Sequence, residues 1–135
     1  MTVAPYLSFN GQCREAMTFY AEVFGATDLQ FMAYGDNPMP GMEAMADKVM
    51  HSDMKIEGGW LMGADSPMGQ DAAAGNVSVM HDPADVVSGK ARFDRLAEGG
   101  EVTMPFEATF WSPGFGMVRD RFGIHWMFST QAAGA

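Results

Sequence analysis

Three histidines are the side chains best suited to proton transfer or metal binding: His51, His81 and His125. Imidazole titrates near neutrality and is the commonest metal-ligating side chain. His51 stands in "KVMHSDMKI", two residues before Asp53. On an extended strand, side chains two apart share a face. A ring beside a carboxylate is the arrangement that general acid–base work needs. His125 stands in "DRFGIHWMF" and has the parity of Met127. His51, His125 and Asp53 would together make a two-histidine, one-carboxylate metal set. Against that stands the ordinary role of a strand histidine, a hydrogen-bonded structural group. His81 precedes Asp82-Pro83 at the start of a helix and reads as structural or exposed.

Other candidates are weaker. Cys13 is the single cysteine, so no internal disulfide forms and CxxC sites are excluded. It falls on the apolar stripe of a helix and reads as a structural thiol. No Ser-His-Asp set has a recognisable context. Asp120 and Arg121 flank a turn and read as a solvated pair. "TFWSPGFG" (Thr109 to Gly116) puts Phe110, Trp111 and Phe115 beside one proline and two glycines. Such a loop either binds planar or cationic ligands or plugs the open side of a sheet.

These residues must be positioned by a regular series of elements. "YLSFN" reads as a strand with Leu7 and Phe9 on one face, Tyr6 and Ser8 on the other. Cys13, Ala16, Met17, Tyr20, Val23 and Phe24 form a helical stripe, with Asn10 as N-cap and Gly25 as stop. Strands follow at 28–34, 48–56 and 60–65, the last two joined by "EGG" as a hairpin. The order then repeats. "NVSVMH" is a strand. A helix follows, with Asp82 as N-cap, Pro83 first in the helix, Val86, Val87, Phe93, Leu96 and Ala97 buried, and Gly99-Gly100 as stop. Strands at 101–106, 115–120 and 124–129 complete the second half, with Phe122-Gly123 supplying the final turn. Trp60 and Trp126 follow those glycine turns and suggest core or dimer anchors. The chain therefore reads β-α-β-β-β twice, an internal duplication. Module one is 1–66, a Gly-rich linker 67–75, and module two 76–130.

With 135 residues, the chain is sized for one domain. Its net charge of −9 argues against nucleic acid or an anionic membrane as partner. No apolar run reaches the ~20 residues of a membrane span, and the N-terminus does not resemble a secretion signal. A cytoplasmic location is expected. Fourteen methionines are many; thioethers fill irregular apolar space and adapt to ligands.

Two βαβββ copies, with "FNGQCREAMTFYAEVFGA" opening the first and "GFGMVRDRFGIHWMF" closing the second, resemble the vicinal oxygen chelate superfamily of glyoxalases, bleomycin-resistance proteins and extradiol dioxygenases. "KVMHSDMKI", "GGWLMGADSP" and "LAEGGEVTMPF" extend the likeness and narrow it to the PhnB-like branch. Its members often carry the label 3-demethylubiquinone methyltransferase. The resemblance implies an α+β fold, two βαβββ modules forming curled mixed sheets around a cavity. It also implies a homodimer and, in metal-dependent members, ligands from the first and last strands of each module. Here those positions fall near Pro5, near Gly63 or Ala64, at Asn76 and at Met127. None suits zinc, nickel, iron or manganese. The metal site is therefore expected to be lost and no cofactor is expected, a weakly held divalent metal being the less favoured alternative. Methyl transfer is disfavoured too. "GGWLMG" precedes a strand and a loop, whereas a cofactor-binding glycine loop leads from a strand into a helix.

The expected pocket is lined by Leu7, Phe9, His51, Asp53, Ser78, Met80, Trp111, Phe115, His125 and Met127. Two functions remain open. One is a protein that holds a small aromatic or cationic compound without chemistry. The other is a lyase or isomerase using His51 or His125 as acid or base. A blander third is an interaction domain with a closed core.

Overall fold

The computed structural model describes residues 3–36, 40–41, 43–66 and 77–131. The chain divides into two compact units, Met1–Ala72 and Ala73–Ala135. The linker 67–75 and Asn76 lie outside the described residues.

In the first unit, strand β1 (Tyr6–Phe9) leads into helix α1 (Cys13–Phe24), then into β2 (Thr27–Ala33), β3 (Val49–Ile56) and β4 (Gly59–Asp65). The strands form one sheet in the order β1-β4-β3-β2, with β1 parallel to β4 and the other pairs antiparallel. The second unit repeats this with β5 (Val79–His81), α2 (Val86–Ala97), β6 (Glu101–Glu107), β7 (Phe115–Arg119) and β8 (His125–Ser129), in the order β5-β8-β7-β6. Again the first strand is parallel to the last. The duplicated βαβββ order is thus present.

Helix α1 buries the expected stripe, with Phe19 added. It ends at Gly25 in the left-handed conformation (φ 61°), which glycine adopts without Cβ strain. Its beginning differs from expectation. Gln12, not Asn10, occupies the N-cap, and its side chain makes no capping bond. Asp65, at the end of β4, serves instead. Its Oδ1 accepts the Cys13 N–H (3.0 Å) and its Oδ2 accepts the Val49 N–H (3.0 Å). One buried carboxylate therefore ties the helix start to β3 and β4. Cys13 is fully buried, and burial pushes its thiol up to about 11.

Helix α2 starts later than expected. Asp85, not Asp82, is the N-cap and accepts the Ser88 N–H at 2.7 Å. Val86 and Val87 then fall in the first turn and are exposed, while Gly89, Phe93 and Leu96 carry the packing. Phe93 meets Phe106 and Phe128 at ring-centroid distances of 5.5 Å each. Gly116, paired with Phe128 in register, leaves room for this cluster: a Cβ there would lie 2.8 Å from the Phe106 backbone. Strand β6 lies at the sheet edge and so tolerates Pro105.

His81 belongs to the same core. Its ring stands edge-on to Phe128 (5.1 Å), and its Nε2 lies 3.0 Å from Arg92 Nη1. Burial first, and the Arg92 guanidinium second, lower its pKa from 6.5 to about 4. A lowered folded value means the unfolded chain binds the proton first. The stability this gives is complete above pH 6.5 and is lost as pH falls towards 4. With the group only partly buried, the loss is about 1–2 kcal/mol. Urea unfolding at pH 7 and pH 4.5 checks this: wild type should lose that much more stability than His81→Gln. Equal losses would contradict it.

Asp120 and Arg121 are not a solvated pair. Asp120 is 2% exposed, and its carboxylate accepts the N–H groups of Phe122 (2.9 Å) and Ile124 (3.0 Å) and the indole N–H of Trp126 (2.8 Å). Trp126 is core. Trp60 is not: it lies exposed, with the Lys55 ammonium 5.0 Å above its ring.

Candidate functional site

In each unit the helix covers one face of the sheet, and alternation sends every second side chain to the other, open face. In the first sheet, Leu7 and Phe9 are buried on the helix side, where Phe9 and Met17 crowd Gly63. They belong to the core, and Tyr6 and Ser8 take the open face. Alternation alone defines two faces of β1; it does not say which one the helix covers.

Register puts Tyr6 opposite Met62, Met62 opposite Asp53, and Asp53 opposite Gln30. The result is a hydrogen-bonded chain along the open face. Tyr6 Oη lies 3.1 Å from His51 Nδ1, His51 Nε2 lies 2.9 Å from Asp53 Oδ2, and Gln30 Nε2 donates to Asp53 Oδ1 (3.3 Å). One tautomer satisfies both ring nitrogens. With the proton on Nε2 donated to Asp53, Nδ1 accepts the Tyr6 hydroxyl. The phenol then has a proton acceptor oriented by a carboxylate. Partial burial raises the Tyr6 pKa, with the nearby acidic groups adding to it. His51 and Asp53 were identifiable from spacing alone. Tyr6 and Gln30 were not, because their partners are 45 and 23 residues away.

The open face of the second sheet has a different character. Met80, Met127, Met117 and Met104 are consecutive register partners across β5, β8, β7 and β6. They form one thioether row spanning the whole sheet. On one side of it, Phe115 pairs with Ser129, and Trp111 stands edge-on to Phe115 at 5.3 Å. On the other side, Arg119 pairs with His125 and with Glu101. Phe110 and Trp111 are 97% and 51% exposed, so the aromatic loop is no core plug. Ser112, buried beneath it, anchors the loop through its hydroxyl, whose one proton is shared between the carbonyl oxygens of Thr130 (2.7 Å) and Gly114 (2.9 Å).

Of the expected site residues, Met80, Trp111, Phe115, His125 and Met127 thus gather in the second unit, and His51 with Asp53 in the first. Ser78 is exposed just before β5. Met104, Met117 and Arg119 were missed, although Met117 and Arg119 simply continue the alternation of Phe115. A groove of about 460 Å³ beside the β3–β4 hairpin, with Lys55 and Trp60 in its wall, contains none of the expected residues.

Of the positions that the resemblance assigns to a metal, those among the described residues do not fit a divalent ion. Pro5 offers only its carbonyl, which accepts the Met62 N–H (3.2 Å). Gly63 and Ala64 carry no donor, and Met127 offers a thioether, a soft ligand ill-suited to hard or borderline cations. Among the described residues, no group of three His, Cys, Asp or Glu side chains could hold a metal. The "GGWLMG" stretch runs from the hairpin turn into β4, not from a strand into a helix.

Residues 1–129 match the family described as 3-demethylubiquinone-9 3-methyltransferase. The chain belongs to that family. It is 32% identical to protein YjdN of Escherichia coli over 140 residues, covering 96% of this chain and 95% of that one. It is similar in structure to protein PA1353 of Pseudomonas aeruginosa (TM-score 0.87, 36% identity, 97% and 98% of the two chains). It also resembles the PhnB protein of Bacillus cereus (TM-score 0.77, 23% identity, 96% and 99%). FosX of Listeria monocytogenes, a fosfomycin resistance protein, shares the fold at 10% identity (TM-score 0.64, 98% and 94%). This is the PhnB-like branch of the vicinal oxygen chelate superfamily, with the glyoxalase/bleomycin-resistance fold.

Proposed function

We propose that this PhnB-like protein holds a small molecule on the open face of its second sheet, without a resident divalent metal. The observation that carries the reading is the row of Met80, Met127, Met117 and Met104 ending beside Phe115 and Trp111. Met80 and Met104 are 59% and 42% exposed, an apolar surface a folded chain leaves open where something binds. Thioethers repack around varied ligands, and the two aromatic rings favour a planar body. The location proposed is cytoplasmic and the assembly a homodimer, as the superfamily resemblance suggests. No described helix is long and apolar enough to cross a membrane.

A thermal-shift screen of small aromatic compounds tests this. A true ligand raises the melting temperature in step with its concentration over its dissociation constant, and Met127→Glu should abolish the rise. Stabilisation that survives that change would place the ligand elsewhere and overturn the reading.

The Tyr6–His51–Asp53 chain favours a second reading, a lyase or isomerase that moves a proton at Tyr6 or His51. Turnover lost in both Tyr6→Phe and His51→Gln, with the fold intact, would support it. Turnover retained in both would sink it.

A further inference from the structure

Resting on the reading of the second open face as a ligand surface, we infer that the ligand carries an oxyanion, a carboxylate or phosphonate, seated on Arg119 and His125. Both side chains lie on that face, opposite each other in register at one end of the methionine row. Arg119 Nε and His125 Nε2 are both buried, and neither has a hydrogen-bond partner among the described residues. Buried polar nitrogens are nearly always paired, so two orphans side by side call for a missing acceptor. An arginine Nε–H is obligatorily a donor, and with a terminal N–H it forms the fork that takes both oxygens of an oxyanion. A neutral imidazole with its proton on Nε2 adds a second donor.

The carboxylate that could fill this role from within does not. Glu101 pairs with Arg119 in register but is exposed, and it makes no salt bridge with Arg119. Phe115 and Arg119 mark the two ends of the face on β7. Four residues of strand separate them by ~13 Å. The ligand class that matches is an apolar or aromatic body ending in an anionic head, the body over the thioethers and the head at Arg119. A cationic head would meet the guanidinium and be repelled.

Isothermal titration with 6-phenylhexanoate, 6-phenylhexylphosphonate and the neutral 6-phenylhexanamide tests this on the full chain. The two anions should bind at least ~10-fold more tightly than the amide, the scale of a charge-assisted fork. Arg119→Met should remove that preference while leaving amide binding intact, which also shows that the variant is folded. Arg119→Lys should restore part of it, and His125→Leu should weaken it less. The two acids compared with each other identify the head group. Equal binding of acids and amide, lost in Met127→Glu, would overturn the anion seat but leave the ligand face standing. An acid preference unchanged in Arg119→Met would overturn the assignment to Arg119. No binding by any of the three would overturn both.

Discussion

Replacing Asp120 by alanine should lower the unfolding free energy by about 3–5 kcal/mol, one of the two largest losses expected for a single change in this chain. The carboxylate accepts two backbone N–H groups and the Trp126 indole N–H, and it is 2% exposed. Alanine leaves all three donors buried without an acceptor, and each such group carries a desolvation cost of about 1–3 kcal/mol. The turn at Arg121 to Gly123 would also lose the clamp that sets the register of β7 against β8. That register places Arg119 opposite His125 and Met117 opposite Met127. Urea unfolding followed by tryptophan fluorescence measures the loss. Asp120→Asn keeps one acceptor oxygen and should lose roughly half as much. If both variants unfold within 1 kcal/mol of wild type, the bonds do not contribute as assigned.

Phe128→Ala should cost a similar amount, about 3–5 kcal/mol, by the usual scale for deleting a buried phenyl ring. Phe128 is fully buried. Its ring meets Phe93 (5.5 Å), Phe106 (6.3 Å) and His81 (5.1 Å), so the cavity would open among side chains from α2, β6 and β5. Those neighbours are rings fixed on separate elements and cannot easily collapse into the space. The same change should raise the His81 pKa, because the ring would gain access to water. Histidine NMR titration beside urea unfolding checks both effects. A loss below about 1 kcal/mol would mean that the cluster relaxes far more than its packing suggests.

Much of this architecture was legible in the sequence, because it rests on local signals. Alternation marked the strands to within a residue except β5, which begins at Val79 and not at Asn76; the helical stripe marked α1, and Gly25 marked its end. The interactions that hold these elements together were not local. Asp65 caps a helix that starts 52 residues earlier, and no capping signature predicts that. Asp120 looks like a surface turn residue until Trp126 folds back onto it. Asp82-Pro83 imitates a helix start, but the true cap, Asp85, comes three residues later, leaving Pro83 packed against Gly89.

The site was half legible for the same reason. Spacing of two paired His51 with Asp53 and aligned His125 with Met127. The methionine row is a cross-strand feature, however. Met80, Met104, Met117 and Met127 become neighbours only once register is known. Arg119 stands near a turn, where an arginine is usually solvated, and its significance rests on a three-dimensional property, a buried Nε without a hydrogen-bond partner among the described residues. Conversely, Leu7 and Phe9 were expected at the ligand because strand parity fixes companions without fixing which face is covered.

The central claim is that the open face of the second sheet is where a ligand rests. NMR spectra of protein carrying ¹³C-methyl methionine, recorded during titration with 6-phenylhexanoate, test it most directly. The account predicts that the methyl signals of Met80, Met104, Met117 and Met127 shift together and saturate with one dissociation constant, while Met17 and Met54, buried in the first unit, stay still. Saturating shifts confined to other methionines, or none in those four, would contradict it.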